Sequence, residues 1–418
     1  MSLFDKLKSR RTVRRATYFA AAALLTMPCL AAADELFGLT TTVPITGLAS
    51  FDISWVDSSV HSYFLADRSN KSIDVIGLNS KVLSHQFKPG FVGFTGNNNT
   101  SGPNGVMTIP LAHDHDHDGD DGHGRAQIWA GDGGSKVWVL DYPSGNVVTT
   151  ISTGTTANRA DEMCYDPNDS LALVANDADT PPFISFISTE TLTIVKQIKF
   201  DGAAGDGPNA TNGIEQCQWN AREGRFYINI PEVNGPGNDT APGNVVVIDP
   251  HNFKIVQTFV IPLADCAGPQ GMAIGPAPQI ALGCNAPSPA VPPSTTGVRN
   301  SVVINEENGN TISVLANEGG TDEVWFNPGD GHYFFANSTP GSKTTPPTPQ
   351  FLGIVDSRGE EEDQTVTTAA SSTVGSHSVA ADPNRNQAYV PVAGGVAIYS
   401  PNGRDDGPAF VFRDHDHD

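Results

Sequence analysis

The sequence predicts an all-β protein, a seven-bladed β-propeller in which each blade contains four strands. The chain of 418 residues holds 42 glycines and 31 prolines, and no segment after the N-terminus shows the apolar spacing of a helix. A pattern of polar start, short apolar strand, turn and second apolar strand recurs seven times, at intervals of 52 to 57 residues. Repeats of this kind, each carrying several strands, are typical of propeller blades.

The first 33 residues predict an export signal. A basic stretch up to Arg15 precedes an apolar run at 16–30, and Ala31-Ala32-Ala33 offers a cleavage site before Asp34. The alternative is a membrane anchor, but a run of about fifteen residues is shorter than the roughly twenty that a span needs. We expect a periplasmic or secreted protein without membrane insertion. The export route, general secretory or twin-arginine, stays open.

The remaining chain, residues 34–412, predicts the propeller. The copies begin at Ser50, Pro103, Ala160, Gly213, Pro269, Thr321 and Ser376, and we align them on their third residues, Asp52, Gly105, Glu162, Glu215, Gly271, Glu323 and Ser378. Turns such as Asp166-Pro167-Asn168 separate the first two strands of a blade. Apolar runs at 72–76, 136–140, 244–248 and 396–399 predict third strands, and those at 147–151 and 193–198 predict fourth strands.

The seventh copy is too short for a fourth strand. Residues 39–45 have strand character and no blade of their own. We expect them to complete the last blade and close the ring, which removes free sheet edges.

Four cysteines follow the signal and suit an oxidising compartment. Cys266 and Cys284 flank two neighbouring antiparallel strands of blade five, so we expect a disulfide between them. Cys164 and Cys217 occupy the same position in blades three and four. They either pair with each other or remain two buried thiols.

The formal net charge of −22 indicates an acidic surface. Such a surface repels nucleic acid and anionic membranes and attracts cations. We expect a monomer whose partner is a small molecule or another protein.

Several motifs resemble those of the secreted bacterial YVTN-type seven-bladed propellers, and more loosely those of lactonase-like and amine-dehydrogenase-heavy-chain-like propellers. They are Gly-Pro-Asn-Gly at 102–105, Gly-Pro-Gln-Gly at 268–271, the Asp-Pro-Asn turns and the strand Asn-Val-Val-Val-Ile-Asp at 244–249. The resemblance covers essentially the whole mature chain. It implies the propeller fold, which hosts binding proteins, lactonases, lyases and redox enzymes alike.

The first strand of each blade lines the central channel, so its first residues surround one mouth. The candidate ligand-binding residues there are Asp52, Asn104, Asp161, Glu162, Glu215, Gln270, Asp322, Glu323 and His377, with Arg159 just upstream. Strand alternation lets only one residue of each adjacent acidic pair face the channel. Converging carboxylates favour a cation, and oxygen ligands suit Ca²⁺, Mg²⁺ or Mn²⁺. The alternative is that these acids accept backbone hydrogen bonds and hold the ring together.

A His/Asp-rich insertion at 113–124 lies between the first two strands of blade two, and residues 413–418 repeat its composition. Its candidate metal ligands are His113, Asp114, His115, Asp116, His117, Asp118 and His123. Asp114, Asp116 and Asp118 match the start of a calcium loop, but the twelfth position is Arg125 rather than an acid. The histidines equally suggest Zn²⁺, Ni²⁺ or Cu²⁺, and the further alternative is a solvated loop with incidental metal affinity.

Motifs for haem attachment and nucleotide binding are missing from the sequence, so we expect neither cofactor. The pattern favours an exported binding or scaffold propeller with a divalent cation near the channel mouth. One alternative is a metal-dependent lactonase-like hydrolase or a lyase at the channel, with His377 as base and Arg159 as a further catalytic candidate. Another is metal capture by the His/Asp-rich segments. Whether the protein is an enzyme stays open.

Overall fold

The computed structural model describes residues 36–111, 125–286, 299–316, 318–338, 350–359, 361–369 and 376–402. These residues form seven four-stranded antiparallel sheets. The predicted all-β fold of seven four-stranded blades is therefore confirmed. One 3₁₀ turn, Asn98–Thr100, lies between blades one and two.

The strands follow one another through the ring in sequence order. Blade one contains β2 (Ser54–Asp57), β3 (Ser62–Asp67), β4 (Ser72–Gly77) and β5 (Leu83–Phe87). Blade two contains β6 (Val106–Pro110), β7 (Ala126–Asp132), β8 (Lys136–Tyr142) and β9 (Val147–Ser152). Blade three contains β10 (Met163–Asp166), β11 (Leu171–Asn176), β12 (Phe183–Ser188) and β13 (Thr193–Lys199).

Blades four to six repeat this order. Blade four contains β14 (Cys217–Asn220), β15 (Arg225–Ile230), β16 (Gly243–Asp249) and β17 (Lys254–Ile261). Blade five contains β18 (Ala267–Ile274), β19 (Gln279–Ala286), β20 (Asn300–Asn305) and β21 (Thr311–Ala316). Blade six contains β22 (Thr321–Asn327), β23 (His332–Asn337), β24 (Gln350–Asp356) and β25 (Glu361–Ala369).

Blade seven joins the two ends of the propeller. It contains β26 (Ala380–Asp382), β27 (Gln387–Val392), β28 (Gly395–Pro401) and, as its outermost strand, β1 (Phe37–Pro44). β1 pairs antiparallel with β28 from Phe37 opposite Pro401 to Pro44 opposite Gly395. The predicted closure by an N-terminal strand is present.

The turns between first and second strands share one hydrogen bond. The Asp166 carboxylate accepts from the backbone N–H of Asn168 at 2.8 Å, and Asp382 accepts from Asn384 at 3.0 Å. Asp57, Asn220 and Asn327 do the same in their turns. An Asp or Asn at the strand end therefore starts each of these turns by holding the backbone two residues on.

The hydrophobic core lies between blades. The buried side chains form a cluster at each of the seven interfaces between neighbouring blades. Between blades three and four, for example, Phe186 and Phe226 meet edge to face with ring centroids 5.7 Å apart. Each blade therefore buries both sheet faces only when the ring is complete.

Two disulfides connect the four cysteines. Cys266 pairs with Cys284 within blade five, and Cys164 pairs with Cys217 across the interface of blades three and four. The second pairing settles the choice that the sequence left open. Structural disulfides are typical of oxidising compartments. In the part of the chain that the structure describes, no helix has the length and apolar character of a membrane span.

Candidate functional site

The first strands of blades one to six begin with a β-bulge at one mouth of the channel. In blade three the N–H of Asp161 donates to the oxygen of Ala175, whose own N–H donates to Glu162, so two residues face one. The same pairing occurs at Asp52, Asn104 and Glu215, and register shifts in β18 and β22 place Gln270 and Asp322 equivalently. A bulge inserts one residue and re-aims the side chains beside it.

The bulge divides the channel lining into two levels. We call the first residues of the pairs, together with His377 of blade seven, the mouth ring: Asp52, Asn104, Asp161, Glu215, Gln270, Asp322 and His377. The second residues form the inner ring: Ile53, Gly105, Glu162, Gln216, Gly271, Glu323 and Ser378. Asp52 and Glu215 therefore belong one position earlier in the repeat than the sequence alignment placed them.

The bulge also breaks the alternation expected along a strand. Asp161 lines the mouth cavity, and the next residue, Glu162, hydrogen-bonds Glu323 of blade six from the other side of the channel. Both members of this acidic pair therefore face the axis. The expectation that only one would do so was wrong, because it assumed an unbroken period of two.

The inner ring explains the last glycine of both Gly-Pro-x-Gly motifs. A Cβ on Gly105 would lie 2.0 Å from the backbone oxygen of Asp161, and one on Gly271 would lie 2.8 Å from the backbone oxygen of Asp322. Neighbouring first strands approach so closely here that only glycine fits.

Two arginines neutralise the mouth ring on the side of blades one to three. Arg68 pairs with Asp52 and donates to Asn104 Oδ1 through Nε at 3.0 Å. Arg159 Nη2 lies 2.7 Å from Asp161 and 2.8 Å from Asp177, and its Nη1 lies 3.7 Å from Asp52. Asn104 Nδ2 donates to the backbone oxygens of Ser101 and Ala160, so this side chain holds neighbouring segments of the chain together. We call this side the closed half of the ring.

Asp52 and His377 form an ion pair at the edge of the closed half. His377 Nε2 lies 2.9 Å from Asp52 Oδ1, and the imidazole stacks on Phe51 with centroids 5.7 Å apart. Burial opposes ionisation of Asp52, but Arg68, His377 and Arg159 together lower its pKa to about 2. Burial alone would lower the pKa of His377, yet the hydrogen bond to Asp52 and the charges of Asp52 and Asp322 raise it. This environment favours the protonated imidazolium, the opposite of what a general base needs.

On the side of blades four to six, the acids of the mouth ring form no ion pair with a described residue, and we call this side the open half. Glu215, Gln270 and Asp322 are only partly buried. Glu215 accepts from Gln270 Nε2 at 3.3 Å, and neither Glu215 nor Asp322 forms an ion pair with any residue that the structure describes. Burial and the charge of Asp322 raise the pKa of Glu215 well above its usual range, and burial raises that of Asp322.

The mouth ring forms the floor of a cavity of about 890 Å³. Six carboxyl groups line this cavity, those of Asp52, Asp161, Asp177, Asp179, Glu215 and Asp322. The basic side chains among its lining residues are Arg159 and His377. The cavity is therefore acidic, and three of these carboxyl groups, those of Asp179, Glu215 and Asp322, form no ion pair with a described residue.

Below this floor, Glu162 and Glu323 meet at the axis. Their carboxyl groups hydrogen-bond each other, and Gln216 Nε2 donates to Glu323 Oε2 at 2.8 Å. Burial, followed by the charge of its partner, raises the pKa of Glu162 well above its usual range, and burial raises that of Glu323. Two ionised carboxylates so close together would repel each other, and both pKa shifts run in the direction that relieves this repulsion.

The structure thus brings most of the candidate mouth residues to one cavity, but it gives them different neighbours. Asp52, Asp161, Glu215, Gln270, Asp322, His377 and Arg159 line the cavity, whereas Asn104, Glu162 and Glu323 do not. Sequence reasoning missed Arg68, Asp177 and Asp179. They follow the second strands of blades one and three, which run antiparallel to the first strands and end at the same mouth. That position was the signal that could have found them.

Of the predicted metal sites, the structure describes the residues at the channel but not the His/Asp-rich segments. The ligands at 113–124 and the tail at 413–418 lie outside the described residues. Within the described ranges, no group of three or more His, Cys, Asp or Glu side chains that could hold a metal ion is found. The divalent cation expected at the channel stays a prediction.

Comparisons with known proteins show the fold alone. No family profile and no curated protein matches the chain, so the YVTN resemblance stays a prediction. Among solved structures of similar fold is the hydrazine synthase of Kuenenia stuttgartiensis, with a TM-score of 0.61 and 13% sequence identity. The match covers 86% of this chain and 97% of that chain. At this identity the similarity carries no activity to this protein.

Proposed function

We propose that this protein is an exported binding protein whose axial cavity takes a small, hydrophilic organic cation. One observation carries the proposal: Glu215 and Asp322 line the cavity without an ion pair to any described residue, whereas Asp52, Asp161 and Asp177 are paired with Arg68 or Arg159. Burying carboxylates without a partner is costly, so a ligand that supplies positive charge stabilises this half. A concave site with a few convergent charged groups is the usual form of a small-molecule pocket.

Binding suits this site better than proton abstraction. The hydrogen bond to Asp52 and the charges of Asp52 and Asp322 raise the pKa of His377, and Arg159 is engaged by three carboxylates. Arg159 therefore acts here as a fixed positive charge, and the environment of His377 favours its charged form. These two groups prevent the closed half from competing for the cation, so the ligand is directed to the open half.

The proposed compartment is the periplasm or the cell exterior. The two disulfides support it, together with the export signal predicted at residues 1–33, which lie outside the described residues. The hydrolase, lyase and metal-capture alternatives stay predictions.

Isothermal titration calorimetry of the purified protein tests the proposal. The ligands are putrescine, choline and glucosamine, with Ca²⁺, Mn²⁺ and Zn²⁺ measured alongside. Each good charge-assisted contact is worth about 1.5 to 3 kcal/mol, so Glu215→Gln with Asp322→Asn should weaken cation binding more than tenfold. The matched control, Glu190→Gln with Asp201→Asn, removes the same charge from exposed positions and should change nothing.

Two results would overturn the proposal. The first is that no organic cation binds, or that metal ions alone bind. The second is that the control pair weakens binding as much as the open-half pair, which would mean that net charge rather than this site attracts the cation.

A further inference from the structure

The walls of the cavity differ in chemistry from its floor. The floor carries the acids of the mouth ring. The walls present amide and hydroxyl side chains, those of Asn98, Asn99, Asn209, Thr211, Asn212 and Ser338. A ligand that fills the cavity therefore meets the acids of the mouth ring together with Asp177 and Asp179, and neutral hydrogen-bonding groups on much of the remaining lining.

The walls offer little apolar surface. Alanines and prolines supply it, namely Ala178, Ala210, Pro181, Pro182 and Pro236, and no aromatic ring other than the His377 imidazole lines the cavity in the described part of the chain. An alkyl diammonium would leave its methylene groups without apolar partners. A cation whose remaining surface carries hydroxyl groups would satisfy these walls.

One wall is fixed before any ligand arrives. Glu232 is fully buried, and its carboxylate accepts from Thr211 Oγ1 at 2.9 Å and from the N–H groups of Thr240 at 2.9 Å and Ala241 at 3.1 Å. This anchors the segment 233–242, from which Gly235 and Pro236 line the cavity. Asn212 Nδ2 donates to Asp239 Oδ1 at 2.8 Å within the same wall, which leaves the Asn212 amide oxygen for a ligand hydroxyl.

Two buried carboxylate oxygens beside the cavity also lack a hydrogen-bond donor. Asp161 is 3% exposed and Asp179 is 8% exposed, and both line the cavity. Asp161 Oδ1 and Asp179 Oδ2 accept no hydrogen bond from any described residue. Buried polar atoms are almost always paired, so these two oxygens mark places beside the cavity where the described residues leave an acceptor unsatisfied.

We propose that the ligand is an amino sugar, as a monomer or short oligomer, with its ammonium group between Glu215 and Asp322 and its hydroxyl groups against the amide walls. This inference rests on the proposed function and narrows its ligand class. A cavity of about 890 Å³ lies near the upper end of the roughly 300 to 1,000 Å³ typical of small-molecule sites, which leaves room for more than one sugar ring.

The test compares glucosamine with N-acetylglucosamine and putrescine by calorimetry. N-acetylation removes the charge and keeps the ring, whereas putrescine keeps the charge and lacks the hydroxyl groups. We expect glucosamine to bind at least tenfold more tightly than either. Asn212→Ala should weaken glucosamine at least fivefold and leave putrescine unchanged, while Asn310→Ala at an exposed turn should affect neither. If Asn212→Ala lowers the melting temperature, Asn209→Ala replaces it.

The outcomes separate the two proposals. Putrescine binding as tightly as glucosamine, or an Asn212→Ala variant that retains the preference for glucosamine, overturns the amino-sugar inference and leaves the cation site standing. N-acetylglucosamine binding as tightly as glucosamine, or no binding by any of the three or by choline, overturns both.

Discussion

Asp74 in β4 predicts a loss of stability as the pH rises. Its side chain is fully buried, Ser72 and Gln86 donate to its Oδ1 at 2.6 and 3.0 Å, and Oδ2 has no described partner. Burial, followed by the charge of Asp67, raises the pKa of Asp74 from 3.8 to about 7. At 1.36 kcal/mol per pKa unit, this difference corresponds to about 4 kcal/mol.

The sign follows from which form the fold prefers. Because the folded state holds the proton more tightly than the unfolded chain, this contribution is fully present below pH 3.8 and is lost as the pH rises through about 7. Between pH 5 and pH 8 the wild type should lose roughly 2.5 kcal/mol from this group. Asp74→Asn keeps the shape and the acceptor oxygen but never ionises, so it removes that loss.

Urea denaturation followed by tryptophan fluorescence at pH 5, 6, 7 and 8 measures the effect. We expect the stability of Asp74→Asn relative to the wild type to increase by roughly 2.5 kcal/mol between pH 5 and pH 8, whatever constant offset the substitution itself introduces. Asp201→Asn, at an exposed position, is the control and should follow the wild type throughout. A difference between Asp74→Asn and wild type that stays constant with pH, or that shifts in favour of the wild type toward pH 8, would refute the reasoning.

Three further predictions concern the site and its supports. Replacing Cys164 and Cys217 by serine opens a loop with a sequence separation of 53 residues and should lower the free energy of unfolding by about 4 kcal/mol. Replacing Cys266 and Cys284, whose separation is 18, should lower it by about 3 kcal/mol. Urea denaturation measures both. Glu232→Gln should cost about 2 to 3 kcal/mol and speed hydrogen exchange at either Thr240 and Ala241 or Gly237 and Asn238, because these pairs of N–H groups donate to different carboxylate oxygens and glutamine keeps only one oxygen. Asp52→Asn should lower the pKa of His377 in an NMR titration, since the buried imidazole loses its anionic partner.

A particular result would contradict each of these three predictions. Equal or reversed costs for the two disulfides would contradict the loop-entropy argument. Unchanged hydrogen exchange in Glu232→Gln, relative to the exposed Glu307→Gln, would show that the segment 233–242 keeps its conformation without the Glu232 carboxylate. An unchanged or higher pKa of His377 in Asp52→Asn would show that other groups keep the imidazole protonated.

Cation binding at the open half should also depend on pH. Burial raises the pKa of both Glu215 and Asp322, so at low pH these groups hold protons that a cationic ligand must displace. Affinity for the cation should therefore rise with pH in calorimetric titrations, and an affinity that falls with pH would contradict the assignment.

The sequence by itself determined the number of blades, the strand that closes the ring and the type of residue at the channel mouth. These features depend on local patterns: a repeat of 52 to 57 residues, alternating apolar strands, and an Asp or Asn that starts a hairpin turn. Polar residues at the start of first strands were visible in the same way. The pattern of a strand or turn is contained in a few neighbouring residues, and counting its copies along the chain gives the number of blades and the strand that is left over.

Only the tertiary structure decided which acids are neutralised and which stay available. Arg68 reaches Asn104, 36 residues away, Gln216 reaches Glu323, 107 residues away, and Glu162 meets Glu323 across the axis. The bulge that turns two consecutive side chains inward is set by hydrogen bonds to the second strand. Charge interactions depend on distances of a few ångströms between residues far apart in sequence, and those distances exist only once the ring has closed.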